Sequence, residues 1–129
     1  NPNHEIAKWW VLDWKSNWLG SPLSKEDGFS CGPSNYLMSN MDKEMYHHHY
    51  PLQAHIYLLA LHRFLNWRLP KYSPQKHLGG YIYVFLRGIP DKGDLEKNNY
   101  PQRTPGLIIE SAPLARIKKL DLLIKRQHK

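Results

Sequence analysis

The run Tyr81–Arg87 has the sequence YIYVFLR, is apolar at almost every position and directly follows Gly79 and Gly80. A strand with one face in solvent alternates polar and apolar residues, whereas a strand covered on both faces stays apolar throughout. The run therefore predicts a central sheet strand. Segments with helical spacing lie on both sides of it in the sequence. Together they indicate an α/β fold, a small mixed sheet flanked by helices.

A second strand is predicted at Lys8–Lys15, with polar residues at its C-terminal end. Because strand side chains alternate between faces, Asp13 and Lys15 are expected on one face, about 7 Å apart along the strand. A carboxylate is a natural ligand for a hard divalent cation such as Mg²⁺. A neighbouring ammonium can steady an attacking water or the charge that grows on a phosphate. The pair therefore indicates half of a metal-dependent phosphodiesterase site, and the alternative is a solvated strand edge.

A first helix is predicted from Ser34 to about His48, after a loop at Ser21–Pro33. Its apolar stripe recurs every four residues. The stripe consists of Leu37, Met41 and Met45. His47–His49 invite a metal site, but successive helical residues point about 100° apart and do not close one site together. We expect these histidines to form a helix end.

A second helix is predicted at Pro51–Leu69, because proline favours the first turn and Pro70 ends the pattern. One face of this helix is expected to be mostly core packing. Its members are Gln53, Tyr57, Ala60 and Phe64. An amide on such a face requires a polar partner. Gln53 is therefore expected either to bond nearby backbone or to point at the strand-end site.

The C-terminal third is predicted to contain a loop at Ile89–Thr104, a strand at Gly106–Glu110 and an amphipathic helix from about Ser111. The inward positions of this helix are Leu114, Ile117, Leu120 and Ile124. Its basic outer side is consistent with contact to DNA or anionic lipid, and equally with a solvated helix face.

The chain has 129 residues, which fits one domain with a core of its own. A net charge of +7 favours a polyanionic partner or surface. The single Cys31 excludes an internal disulfide and fits a reducing compartment, so we expect a cytoplasmic protein. No apolar run approaches the roughly 20 residues that cross a bilayer, and Asn1–Lys8 is too polar for a signal peptide, so we expect no membrane partner.

Three consecutive blocks of the sequence resemble one protein family. They are LDWKSNWLG, YPLQAHIYLLALHRFL and HLGGYIYVFLRG. These blocks are similar in order and spacing to the C-terminal nuclease domain of the exodeoxyribonuclease V beta subunit (RecB), within the PD-(D/E)xK, restriction-endonuclease-like superfamily. The resemblance is dense over residues 9–88 and fades afterwards.

The resemblance implies magnesium-dependent hydrolysis of DNA phosphodiester bonds. It makes Asp13 a direct metal ligand, the backbone carbonyl of Trp14 a second ligand, and Lys15 the group that orients water or neutralises charge. Gln53 and Tyr57 match the Gln-x-x-x-Tyr motif of the family and are expected to fix the geometry of the site. Apart from the resemblance, DNA contacts are predicted at Ser16, Asn17, Arg63 and Arg87. For Arg63 a solvated helix face is an equal alternative, and for Arg87 the alternative is an acidic partner.

The family also implies groups that this sequence does not contain. A further acidic ligand on an earlier strand and a histidine from an upstream helix are expected, so the domain would be N-terminally truncated and weak or inactive alone. ATP would act only through a helicase part of the parent protein. The expected partners are DNA, the RecC and RecD subunits, and the RecA recombinase. The alternatives are a non-catalytic docking module for RecA or partner subunits, and a remnant that only binds DNA.

Overall fold

A computed structural model describes residues 7–22, 29–97 and 104–126 of the chain. The strands in these residues are β1 (Trp9–Lys15), β2 (Ser21–Pro22), β3 (Phe29–Ser30), β4 (Leu78–Phe85) and β5 (Leu107–Ser111). The helices are α1 (Met38–His47), α2 (Tyr50–Arg68), α3 (Pro74–His77), α4 (Lys92–Lys97) and α5 (Leu114–Arg126). Short 3₁₀ helices occupy Pro33–Tyr36 and Leu86–Gly88. The described residues form both helices and a small mixed sheet, so the α/β prediction is confirmed.

The main sheet is a small mixed sheet with the strand order β1-β4-β5. Strand β4 lies at its centre and is buried or half-buried at every position, which confirms the prediction from the apolar run. Phe85 donates its N–H to the carbonyl of Gly106 at 2.7 Å, and Ala112 donates to Gly79 at 2.9 Å. Between these two pairs the residue number increases along β4 and decreases along β5, so the two strands are antiparallel.

Two predicted loops contain regular structure. In the loop at Ser21–Pro33, β2 and β3 form a two-residue antiparallel ladder, and residues 23–28 lie outside the described residues. The loop at Ile89–Thr104 contains α4, which the sequence analysis missed. The N–H of Asp94 donates to the side chain of Asp91 at 2.8 Å and the N–H of Asp91 donates back at 3.4 Å. This reciprocal capping starts the helix, and residues 98–103 again lie outside the described part.

The chain forms two compact units. The first unit contains Asn1–Val11, Pro51–Tyr81 and Glu110–Lys129, and the second contains Leu12–Tyr50 and Ile82–Ile109. Each unit has buried apolar side chains of its own. Among the described residues, no helix combines the length and the apolarity needed to cross a membrane.

The core of the first unit forms between α2, β4 and α5. Its buried members are Leu58, Leu59, Leu65, Leu78 and Ile117. The inward positions predicted for α5 are confirmed, since Leu114, Leu120 and Ile124 pack against this cluster. The core face predicted for α2 is wrong, because Tyr57 and Phe64 are 42% and 53% exposed and Ala60 is exposed as well. Apolar residues occur on all sides of α2, so their spacing could not show which side is buried.

The core of the second unit includes Tyr36, whose ring centroid lies 6.1 Å from that of Phe85. Its buried apolar members are Tyr36, Met41, Met45, Tyr83, Val84, Phe85 and Ile108. Met41 and Met45 confirm two positions of the predicted stripe on α1. Leu37 does not belong to it, because it lies in extended backbone before the helix and is 36% exposed. The helix begins later than predicted because the chain first forms a 3₁₀ turn at Pro33–Tyr36.

Candidate active site

The C-terminal half of β1 places Asp13 and Lys15 on one face of the strand. Their side chains are 21% and 10% exposed, whereas Leu12 and Trp14 on the other face are 48% and 60% exposed. This alternation follows from the pleat of a strand, in which successive side chains point to opposite faces. The shared face predicted for Asp13 and Lys15 is therefore confirmed.

Asp13 and Lys15 form an ion pair at the end of β1. Nζ of Lys15 lies 3.0 Å from Oδ2 of Asp13. Residues two apart on a strand are separated by about 7 Å along the chain, and the long lysine side chain closes that gap. Within the described ranges, Oδ1 of Asp13 receives no hydrogen bond. One oxygen of the carboxylate therefore holds an ammonium, and the Asp13 side chain is partly exposed.

Two tyrosine rings adjoin the Lys15 ammonium. Nζ lies 3.9 Å from the centroid of the Tyr50 ring and 5.0 Å from that of Tyr83. Both distances fall within the range in which the negative face of an aromatic ring attracts a cation. The hydroxyl of Tyr83 donates to the backbone carbonyl of Tyr50 at 3.0 Å. The contact of these two tyrosines with Lys15 is not predictable from the sequence, because no spacing along the chain relates them to β1.

Asn17, predicted to contact DNA, is held by residues of α1 and α2. Its Nδ2 donates to Oε1 of Glu44 and to the Tyr50 hydroxyl, each at 2.9 Å. Oε1 of Glu44 also lies 2.9 Å from Nε2 of His48. The side-chain amide of Asn17 is therefore fixed within the second unit. Its contact with DNA stays a prediction.

Two other predicted DNA contacts, Ser16 and Arg87, lie next to each other. Nε of Arg87 donates to the backbone carbonyl of Ser16 at 3.3 Å, and both residues are exposed. Arg87 was predicted to end the central strand. It lies instead in the 3₁₀ helix Leu86–Gly88, because β4 ends at Phe85. Arg87 therefore has an exposed cation beside the end of β1, and its role toward DNA stays a prediction.

Gln53 and Tyr57 contact each other on α2. Nε2 of Gln53 donates to the Tyr57 hydroxyl at 3.3 Å, which fits their spacing of one helical turn. Both belong to the first unit, whereas Asp13 and Lys15 belong to the second. The role predicted for Gln53 and Tyr57 in fixing the geometry of the site stays a prediction.

Arg63 lies in the first unit and forms an ion pair with Asp121 of α5. Its Nε is 2.7 Å from Oδ1 of Asp121, and Nζ of Lys125 is 2.7 Å from Oδ2. Burial alone would raise the pKa of Asp121, but the hydrogen bonds and charges of Lys125 and Arg63 outweigh it and lower that pKa. Asp121 was not predicted from the sequence, although it lies four residues after the buried Ile117 on the inner face of α5. The contact of Arg63 with DNA stays a prediction.

The donors at the end of β1 suit an ion that takes oxygen ligands. Among the described residues, no three His, Cys, Asp or Glu side chains are placed to hold one metal, and His47–His49 accordingly form no such group. Mg²⁺ keeps several waters and commonly binds one or two carboxylates together with substrate phosphates. The Asp13 carboxylate and the Trp14 carbonyl are donors of this kind. The chemistry of these two donors suits part of such a coordination shell, and their binding of Mg²⁺ stays a prediction.

No protein-family model matches the chain. Named relatives match most of it. Over 106 residues, 81% of this chain, it is 42% identical to RecBCD enzyme subunit RecB of Escherichia coli. Over 94 residues, 73% of the chain, it is 40% identical to the RecB subunit of Mycolicibacterium smegmatis. Over 116 residues, 90% of the chain, it is 34% identical to that of Mycobacterium tuberculosis. The chain belongs to the RecB family.

The similarity to RecB covers only a small part of each relative. The chain spans 8% of the Escherichia coli and Mycolicibacterium smegmatis subunits and 9% of that of Mycobacterium tuberculosis. The resemblance to RecB stated from the three sequence blocks is therefore confirmed for one segment of RecB. Membership of the PD-(D/E)xK superfamily stays a prediction.

Proposed function

We propose that this RecB-family segment forms part of a magnesium-dependent DNA nuclease that processes double-strand ends for recombinational repair. The observation that carries the proposal is the Asp13–Lys15 pair at the end of β1, with a partly exposed carboxylate beside an ammonium. The identity of 34% to 42% to RecB subunits over most of the chain supports it. The net charge of +7 suits a polyanionic substrate.

In this proposal Asp13 and the Trp14 carbonyl hold Mg²⁺, which supplies a Lewis acid for phosphoryl oxygen when bound. The Lys15 ammonium donates hydrogen bonds to the charge that develops on the scissile phosphate. Because its side chain is 10% exposed and lies against Asp13 and Tyr50, it is already in place before substrate binds. Gln53 and Tyr57 are proposed to orient the reacting groups.

Binding to DNA is proposed to be independent of sequence. Ser16, Asn17, Arg63 and Arg87 are the proposed contacts, and cationic groups that meet phosphates track the backbone of the nucleic acid without reading its bases. Because each phosphate contact releases counterions, this binding is expected to weaken steeply with salt.

The assembly in which the segment acts is part of the same proposal. The relatives are named as subunits of the RecBCD enzyme, so RecC and RecD are the proposed partner subunits. ATP is proposed to act only through a helicase part of the parent protein. The proposed compartment is the cytoplasm.

A second candidate function is docking of RecA, and the exposed face of α2 favours it. Phe64 and Trp67 are 53% and 75% exposed and contact each other with ring centroids 6.3 Å apart. Exposed aromatic pairs of this kind are typical of protein interfaces. Capture of purified RecA by the chain, and its loss in Trp67→Ser, would support docking. Equal capture by the chain and by this variant would count against it.

A nuclease assay tests the main proposal. A RecB-length polypeptide carrying this segment, assembled with its partner subunits, is incubated with linear DNA and MgCl₂. We expect cleavage by the wild type and by Asp42→Ala, a control for an exposed carboxylate on α1, and none by Asp13→Ala. Equal cleavage by Asp13→Ala and the wild type, or no cleavage by either, would contradict the proposal.

A further inference from the structure

Tyr50 contacts both the cation of the proposed site and the loop that follows β1. Its ring lies against the Lys15 ammonium, and its hydroxyl reaches Asn17. We propose that Tyr50 is a positioning residue, whose ring holds the Lys15 ammonium beside Asp13 and whose hydroxyl ties that ring to the loop after β1. The inference rests on the proposed function, in which Lys15 acts on phosphate.

The Lys15 ammonium contacts both a carboxylate and an aromatic ring. Lysine has a flexible four-carbon stem with a compact charge at its end, so its ammonium samples many positions unless several contacts restrict it. Here Nζ lies 3.0 Å from Oδ2 of Asp13 and 3.9 Å from the centroid of the Tyr50 ring. The attraction of a cation to a ring is strongest where water is excluded, and the Lys15 side chain is 10% exposed.

Three residues that lie apart from one another in the sequence or structure contact Tyr50 itself. The Asn17 amide donates to its hydroxyl at 2.9 Å, and the Tyr83 hydroxyl donates to its backbone carbonyl at 3.0 Å. The ring of His48 stacks on it at 5.2 Å between centroids, with 16° between the planes. A ring with these contacts presents one fixed face to Lys15. Tyr50 is half-buried, and its ring centroid also lies 5.7 Å from that of the buried Tyr83.

A cation–ring contact can be distinguished from simple packing by changing the charge at the ring face. The attraction depends on the negative charge at the ring face, which ring fluorination removes while the size of the side chain hardly changes. Tyr50→Phe keeps the ring and loses the contact with Asn17. Tyr50→Leu loses both. Tyr46→Leu is the matched control, because Tyr46 is 83% exposed on the neighbouring helix α1.

An NMR experiment on the 129-residue chain tests the placement without any assay of activity. Lysines carry ¹³C at Cε, and Lys15→Arg identifies the Lys15 signal. We expect an upfield ring-current shift of that signal in the wild type, in Tyr50→Phe and in Tyr46→Leu, and a clearly smaller shift in Tyr50→Leu, where only the Tyr83 ring remains near Lys15. An unchanged Lys15 signal in Tyr50→Leu would overturn the inference. If that variant does not fold, the fluorinated phenylalanines at position 50 replace it, and a Lys15 signal that stays fixed as fluorine is added would overturn the inference.

A kinetic experiment in the RecB-length polypeptide tests the consequence for catalysis. Because Lys15 is proposed to act in the transition state, Tyr50→Leu should lower kcat roughly 2- to 30-fold and change KM for DNA much less. Tyr50→Phe, which keeps the ring but loses the contact with Asn17, should lower kcat less than Tyr50→Leu does. Tyr46→Leu should retain kcat, and added ring fluorine in the Tyr50→Phe background should lower it stepwise. A kcat that stays unchanged as ring fluorine is added would overturn the inference. A wild type that cuts no DNA would instead overturn the proposed function, and the NMR comparison would still decide the role of Tyr50 at Lys15.

Discussion

The hydroxyl of Tyr36 donates to the backbone carbonyl of Asn17 at 2.5 Å and accepts the N–H of Leu19 at 3.1 Å. Tyr36 is fully buried, and its ring lies so close to Gly88 that a Cβ there would come within 2.3 Å of it. Burial raises the pKa of Tyr36 to about 12, so the hydroxyl keeps its proton at any working pH. The loop after β1, which follows the Asp13–Lys15 pair, is therefore fixed to the core of the second unit.

Tyr36→Phe should lower the free energy of unfolding by about 1–2 kcal/mol, because it leaves the Asn17 carbonyl and the Leu19 N–H without their partner. Urea unfolding of the chain measures this. Tyr46→Phe, at a side chain that is 83% exposed, should change the free energy by less than about 0.5 kcal/mol. Equal effects of the two substitutions would show that the Tyr36 hydroxyl does not hold the loop.

Removal of one of the two cations beside Asp121 should lower the free energy of unfolding much less than removal of both. Its own side chain is 8% exposed, while those of Arg63 and Lys125 are 42% and 61% exposed. Arg63→Ala and Lys125→Ala should each cost about 0.5–1 kcal/mol of unfolding free energy, since exposed partners contribute little. The double variant should cost about 3 kcal/mol, because it leaves a buried charge unpaired. Lys118→Ala, at an exposed position of α5, is the control, and simple additivity in the double variant would contradict this account.

The stability of the chain should depend on His62 between mildly acidic and neutral pH. Burial lowers the pKa of His62 below its ordinary value of 6.5. As the pH falls through 6.5, the unfolded chain takes up a proton that the folded chain does not, so the free energy of unfolding falls. His62→Gln should therefore lose less stability than the wild type between pH 7.5 and pH 5 in urea titrations. His47→Gln, at an exposed histidine, is the control, and equal losses in His62→Gln and the wild type would refute the role of His62.

The sequence predicted the features that short periodicities determine. The alternation in β1 placed Asp13 and Lys15 on one face, and the apolar run predicted β4 as the central strand. The amphipathic spacing of α5 identified Ile117 as a buried position. In each case the period of the strand or helix assigns each residue to one face, so the pattern of residues allows only one arrangement.

The sequence could not predict features that depend on contacts between distant residues. Apolar residues surround α2, so their spacing left its buried side open and the face with Tyr57 and Phe64 was chosen wrongly. The cation–ring contact of Lys15 with Tyr50 joins residues 35 positions apart, and no local pattern relates them. The spacing of α5 places the acidic Asp121 on the apolar face of the helix. Its ion pair with Arg63 could not be predicted, because Arg63 lies on another helix.

The most direct test of the proposed metal site is a titration of the chain with Mn²⁺, a paramagnetic substitute for Mg²⁺, followed by NMR. Nearby amide signals lose intensity when the ion binds, even if binding is weak. We expect selective loss at Trp14 and Lys15 in the wild type and in the control Asp42→Asn, and no such loss in Asp13→Asn. Equal loss at these amides in Asp13→Asn, or no loss in the wild type, would contradict the account.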